Sequence, residues 1–151
     1  MSRAPHLYWA TFAIIQNIKW EILLQQRCNT WYYDGWYSLP SGHIDDGEFT
    51  SESFIHEMKE ELGIVVDPEQ NKMIHVMHRI ADDRQYFDIC YFLNTREWEI
   101  KNTEPEKCSK LMWCLPTDLP NHIAPPALRF IESYIKHGKE LIFTEADVRE
   151  Q

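Results

Sequence analysis

The sequence predicts a single-domain α/β (α+β) protein, a mixed β-sheet with helices packed on it. Three observations predict this. The chain has 151 residues, and domains typically run to about 100–200 residues. β-rich runs alternate along it with two segments of helical periodicity. Neither an internal repeat nor a linker divides it, so residues 1–151 are expected to form one domain.

His6–Ile15 alternates and then runs apolar through Leu7, Trp9, Phe12 and Ile14, the pattern of a strand. Trp20–Arg27, with Ile22, Leu23 and Leu24, reads as a second strand. The short turn Gln16-Asn17-Ile18-Lys19 between them points to a hairpin. Cys28–Gly35 is a polar, aromatic loop, and Trp36–Pro40 is short and extended. Thr50–Leu62 is the clearest helix. Thr50 or Ser51 can cap it, Glu52 sits in its first turn, and Gly63 follows its last residue. Met73–Ile80 and Gln85–Asn94 are β-rich and joined by Ala81-Asp82-Asp83-Arg84, a second hairpin. Leu111–Leu115 is a short strand ended by Leu119-Pro120. Pro125-Pro126 opens a second helix that runs to His137 and stops at Gly138, with Leu128, Ile131 and Ile135 at helical spacing. The tail from Glu140 to Gln151 carries no clear pattern.

The balance of 15 Lys and Arg against 24 Asp and Glu gives a net charge of -9. A nucleic-acid polymer needs a basic face, so it is not the expected partner. An acidic protein can still bind a small phosphate compound when a metal supplies the positive charge. The longest apolar runs, such as Ala13-Ile14-Ile15, fall far below the ~18 residues that span a bilayer. The first residues, Met1-Ser2-Arg3-Ala4-Pro5-His6, lack the apolar core of a signal peptide, and a cytoplasmic protein is expected. None of Cys28, Cys90, Cys108 and Cys114 forms a C-x-x-C pair, which fits free thiols in a reducing compartment.

The acids are concentrated in Asp45–Glu61. At about 100° per residue, Glu57, Glu60 and Glu61 share an arc of about 100° on the first helix. The apolar stripe of Phe54, Ile55, Met58 and Leu62 lies directly beside that arc. Lys59 falls outside the arc, so no lysine intersperses it. Like pairs at i,i+3 and i,i+4 each cost a few tenths of a kcal/mol, and a divalent cation removes that cost. Carboxylate oxygens suit Mg²⁺ or Mn²⁺ rather than Zn²⁺.

The stretch from Gly42 to Ile64 resembles the Nudix box, G-x5-E-x7-R-E-U-x-E-E-x-G-U with U aliphatic. Gly42, Glu48, Glu57, Met58, Glu60, Glu61, Gly63 and Ile64 stand at the required places, and only the arginine position departs, being His56. The lead-in Trp36–Gly42 also resembles the family's strand into the box. The resemblance implies the Nudix fold, a mixed β-sheet in an α/β/α sandwich. It implies that Glu57, Glu60 and Glu61 bind Mg²⁺ or Mn²⁺ with the backbone carbonyl of Ser41, and that Glu48 fixes the geometry of the box. Water activated by the cations then attacks a phosphorus. A carboxylate serves as base, Glu57 first and Glu104 or Glu106 as alternatives. His56 is shorter than arginine and charged only when protonated, and it could donate to Glu48 or Glu57.

Beyond the box, Met112-Trp113 and Asp118-Leu119-Pro120 resemble the MutT-like branch. That branch implies a (d)NTP pyrophosphohydrolase giving NMP and pyrophosphate. Aromatics of the loop, namely Trp31, Tyr32, Tyr33, Trp36 and Tyr37, could stack on a base, and Arg27 and Arg79 could contact phosphate. Rival readings are a Nudix hydrolase of ADP-ribose or dinucleotide type, and a non-catalytic nucleotide sensor favoured by His56 alone. An acidic interaction protein is a third. Family members are often dimers, so a homodimer is a further expectation.

Overall fold

The computed structural model describes residues 6–30, 32–96 and 99–149. Ten elements follow in order: β1 (Leu7–Gln16), β2 (Ile22–Arg27), β3 (Tyr37–Ser38), β4 (Ser41–His43), α1 (Thr50–Leu62), β5 (Lys72–Ile80), β6 (Gln85–Asn94), β7 (Cys108–Cys114), α2 (Pro125–His137) and β8 (Ile142–Asp147). The strands form one mixed sheet in the order β3-β2-β1-β6-β5-β8, with β4 paired to β1 and β7 to β2. β1 with β6 and β5 with β8 are parallel, and the other pairs are antiparallel.

Strand alternation divides the core in two, because successive side chains point to opposite faces. Phe12 and Ile14 of β1 join Leu24, Phe92 and the α2 residues Ala127, Phe130 and Ile131 on one face. Ala13 and Ile15 join Leu23, Ile89, Leu93 and the α1 residues Phe54, Met58 and Leu62 on the other. The expected helix–sheet–helix sandwich is therefore present. β1 is covered on both faces, which explains its continuous apolar run.

Helix α1 has the expected bounds but not the expected cap. Its N-cap is Phe49, which has no side-chain acceptor. The carboxylate of Glu52 instead accepts the N–H of Phe49 at 3.3 Å. Thr50 is engaged elsewhere, its hydroxyl 2.8 Å from that of Tyr91. Gly63 at φ 69° closes the helix, its N–H donating to the Lys59 carbonyl, a left-handed position that glycine takes without steric cost.

Other expectations need correction. The hairpin of β1 and β2 holds only at its base, through Gln16 and Ile22. Asn17 accepts from the N–H groups of Lys19 and Glu21 to make the turn. Farther along, β4 takes the edge of β1 over Ala10–Phe12. β7 begins at Cys108, since its pairing with β2 continues past an irregularity at Gln26 and Arg27. Of the apolar positions expected on α2, Ile131 is buried and Leu128 packs on the core, but Ile135 is exposed, and Pro126, Ala127 and Phe130 complete the buried face. The tail, unassigned from sequence, contributes β8, a half-exposed strand whose partner β5 lies some 65 residues earlier. Among the described residues no helix is long and apolar enough to cross a membrane.

Candidate active site

Helix α1 presents its acidic stripe to β4, and close approach is built into the sequence there. A Cβ on Gly42 would meet Cδ of Glu57 and stand 2.5 Å from each of its carboxylate oxygens. Only a glycine leaves that space. One turn on, Glu61 accepts hydrogen bonds from the backbone N–H of Ser41 and the side chain of Gln25. Its other oxygen, Oε2, is buried with no hydrogen-bond partner.

The end of α1 also brings in a fourth acid. Helix ends leave their last carbonyls without partners. Here the loop after β6 supplies them: the N–H of Lys101 donates to the Leu62 carbonyl at 3.0 Å and that of Thr103 to Glu61 at 3.2 Å. The Thr103 hydroxyl donates to the Glu60 carbonyl. Asn102 ties the loop to β7 through the Cys108 carbonyl and accepts the N–H of Glu104. Glu104 is thereby set into the same cleft as Glu57, Glu60 and Glu61.

Crowding and burial act on these acids together. Burial, then the charges of Glu60 and Glu104, push the Glu57 carboxyl up to about 7, with His56 opposing. Burial, then Glu57 and Glu104, push Glu61 up to about 8 against its two hydrogen bonds. An unpartnered buried oxygen beside like charges is costly unless a cation takes it up. The donor set is all oxygen, which suits a hard divalent ion. Among the described residues no three His, Cys, Asp or Glu side chains converge on a single point, so the acids border a space rather than a closed cage.

His56 stands between two acids. Its Nε2 lies 2.9 Å from Glu60 Oε1 and its Nδ1 3.6 Å from Glu48 Oε2. It thus reaches Glu48, as expected, and Glu60 rather than Glu57. Glu48 and His56 do not line the cleft; they brace the acidic stripe from outside it.

The cleft has a volume of about 530 Å³. Arg27, Ser41 and Arg79 line it together with the acids, as the sequence suggested. Trp36 and Tyr37 do not. Trp36 packs on Tyr33 and His122, and Tyr37 is half-buried against the core on the α2 side. Their places are taken by Tyr32 and by Tyr86, which sequence reading missed. Trp31 lies outside the described residues. Asp88, fully buried and bonded to Arg79 at 2.7 Å, was also missed; a carboxylate inside the apolar run of β6 was the available signal.

The acids make a prediction about stability. Below about pH 4.5 each acid is neutral whether the chain is folded or not. Above it the unfolded chain releases protons that the fold retains, so unfolding gains as pH rises until Glu57 and Glu61 ionise near 7 and 8. Buried His75, held down at about 4, acts in the opposite sense only below its ordinary value near 6.5. The thermal midpoint in chelator should therefore fall by roughly 5 °C from pH 6.5 to 8.5, and saturating Mg²⁺ or Mn²⁺ should abolish the fall. A flat midpoint in chelator would contradict the arrangement.

The family model described as NUDIX domain matches residues 6–134. The MutT NUDIX hydrolase from Burkholderia pseudomallei superposes with a TM-score of 0.74 at 24% identity, over 84% of this chain and 97% of that one. The MutT protein from Methanosarcina mazei Go1 gives 0.74 at 20%, over 92% and 100%. The NUDIX domain of Shewanella oneidensis NrtR, solved with ADP ribose, gives 0.70 at 19%, over 89% of each chain. At these identities the structural likenesses speak for the fold. No protein of curated function matches the sequence.

Proposed function

The chain belongs to the Nudix hydrolase family, and on that premise we propose that it cleaves the diphosphate linkage of a nucleotide, as a (d)NTP pyrophosphohydrolase giving NMP and pyrophosphate. One observation carries the reading: Glu57, Glu60, Glu61 and Glu104 border one cleft, with a buried oxygen of Glu61 left without a partner. Residues 1–151 serve as one catalytic domain in this reading. The four cysteines are free thiols, which suits a cytoplasmic place.

Glu57, Glu60 and Glu61, with the Ser41 carbonyl, would hold Mg²⁺ or Mn²⁺. When bound, such an ion neutralises phosphate charge and makes water more acidic. Glu57 or Glu104 accepts the proton of the attacking water as the new P–O bond forms. The anhydride P–O bond breaks, and pyrophosphate leaves with the electron pair. Arg27 and Lys107, on the cleft wall, oppose the charge of the phosphates. Glu106, the other loop acid considered as base, is absent from the lining. His56 fixes Glu60 through its 2.9 Å contact, the task the arginine of the box would perform.

The test is a panel of nucleoside triphosphates, nucleotide sugars and dinucleotides with Mg²⁺ or Mn²⁺, scored for binding by calorimetry and for every phosphorus-containing product, namely nucleoside monophosphate, sugar phosphate, phosphate and pyrophosphate. Metal-dependent turnover of triphosphates supports the reading. Binding without turnover across the panel would favour the non-catalytic sensor, and turnover of ADP-ribose alone would reassign the substrate. A second expectation concerns His56→Arg. A longer, permanently charged fork reaches the same two carboxylates, so kcat/KM at pH 7 should hold or rise. A fall beyond tenfold would mean that His56 does something an arginine cannot.

A further inference from the structure

The cleft has a second pole, away from the acids. Arg79, on β5, is nearly buried. Its Nε donates to Asp88 Oδ2 at 2.7 Å and its Nη2 to Oδ1 at 3.4 Å. Its guanidinium lies over the Tyr86 ring at 3.9 Å. Asp88 is wholly buried beneath it. Two charged hydrogen bonds and an aromatic face fix the plane of the guanidinium in one orientation. Nη1 takes part in neither bond to Asp88, and Arg79 is part of the cleft wall.

The charge balance at this pole is different from that of an anion site. Asp88 already neutralises Arg79, and the pair sits where water is scarce. A second anion there would leave two negative charges to share one guanidinium, with one of them uncompensated. A neutral acceptor edge, by contrast, can take the remaining N–H groups at no such cost. The surroundings fit a flat ring: Ala10, Phe12, Ala124 and Pro126 line the cleft, and Tyr32 offers a further aromatic face. Arg27 and Lys107 remain for the phosphates.

We propose that Arg79 selects the nucleobase rather than binding phosphate, by donating to two adjacent acceptors on its edge, and that Asp88 is the positioning residue that makes this selection. The inference rests on the nucleotide reading of the cleft. Guanine offers such a pair in N7 and O6, and cytosine in N3 and O2. Adenine and uracil place a donor beside each acceptor, which an arginine fork cannot pair with. Arginine is matched bidentately to guanine O6 and N7 in other settings for the same geometric reason.

The experiment is equilibrium binding of GMP, CMP, AMP and UMP to the whole chain without metal, by calorimetry, alongside kcat/KM for the four triphosphates with Mg²⁺. GMP or CMP should bind about tenfold or more tighter than AMP and UMP. Arg79→Lys and Asp88→Asn should each reduce that ratio to below about twofold. Equal affinity for all four bases, no binding of any, or an equal loss for all four in Arg79→Lys would overturn the proposal. The wild-type ratio decides the matter even where a variant does not fold. Asp88→Asn removes the countercharge of a buried pair and should lower the thermal midpoint, so its ratio is read well below that midpoint, where the variant is folded; a merely structural role would leave the ratio intact. Base preference in binding without hydrolysis would count against the hydrolase reading alone, and hydrolysis of all four triphosphates at one rate would count against this inference alone.

Discussion

Replacing Glu61 by glutamine is expected to lower kcat by roughly 100-fold or more while raising the thermal midpoint of the metal-free protein at pH 8.5. The two effects have one cause. Glu61 is half-buried on the cleft wall, it has the largest upward push of the α1 acids, to about 8, and its buried oxygen Oε2 has no partner. Without a cation, its negative charge is opposed by burial and by Glu57 and Glu104. Glutamine has nearly the same shape and keeps an oxygen for the Ser41 N–H, but it carries no charge. At pH 8.5 it removes a buried carboxylate, and the midpoint should rise by about 5 °C, from on the order of 2 kcal/mol. At pH 5, where Glu61 is already neutral, the two proteins should melt together. The lost charge is the one a divalent cation needs, so the midpoint shift on adding Mg²⁺ should shrink in the variant. Melting curves at the two pH values, with and without metal, together with turnover, test this. Retained turnover, or a variant less stable than the parent at pH 8.5, would remove Glu61 from the metal site.

How far the sequence foretold these features follows from how locally each is determined. Helix α1 ran from Thr50 to Leu62 as expected, because periodicity and the Gly63 stop are encoded within a few turns. The hairpin of β5 and β6 and the span of α2 were legible for the same reason. The acidic stripe was legible because three glutamates on one helix face need no tertiary information to be placed together. Glu104 was only one of two loop candidates. Its place depends on residues 101–103 meeting the last carbonyls of α1, a contact between segments some 40 residues apart. β8 was invisible because its half-exposed pattern gains meaning only against β5. Likewise, the division of β1 between β2, β4 and β6 cannot be read from β1 itself. That Trp36 and Tyr37 lie off the cleft was not legible, because aromatic content does not say which face of a short strand meets the cleft. Tyr86 and Asp88 belong to a strand whose register with β5 sets both beside Arg79.

Gly42→Ala should be nearly as damaging to turnover as loss of a metal ligand, with little effect on folding. Gly42 is not among the glycines at positive φ, so alanine strains no backbone there. The new methyl would instead occupy the space of the Glu57 carboxyl, 2.5 Å from both of its oxygens. That carboxyl is the far end of a flexible side chain and can swing away, so the midpoint should move by no more than about 3 °C, or about 1 kcal/mol. What it cannot do is remain beside Glu61 and Ser41. A displaced ligand and base should lower kcat/KM by roughly 10–100-fold. A double-mutant cycle separates this cause from a general disturbance. If alanine acts by evicting Glu57, then adding Glu57→Gln to Gly42→Ala should cost little more than either change alone, since both remove the same group. Fully additive losses would place the damage elsewhere in the loop. Unchanged turnover in Gly42→Ala would mean that Glu57 works from a position the methyl does not reach, and the base would then be sought at Glu104, which the substitution leaves in place.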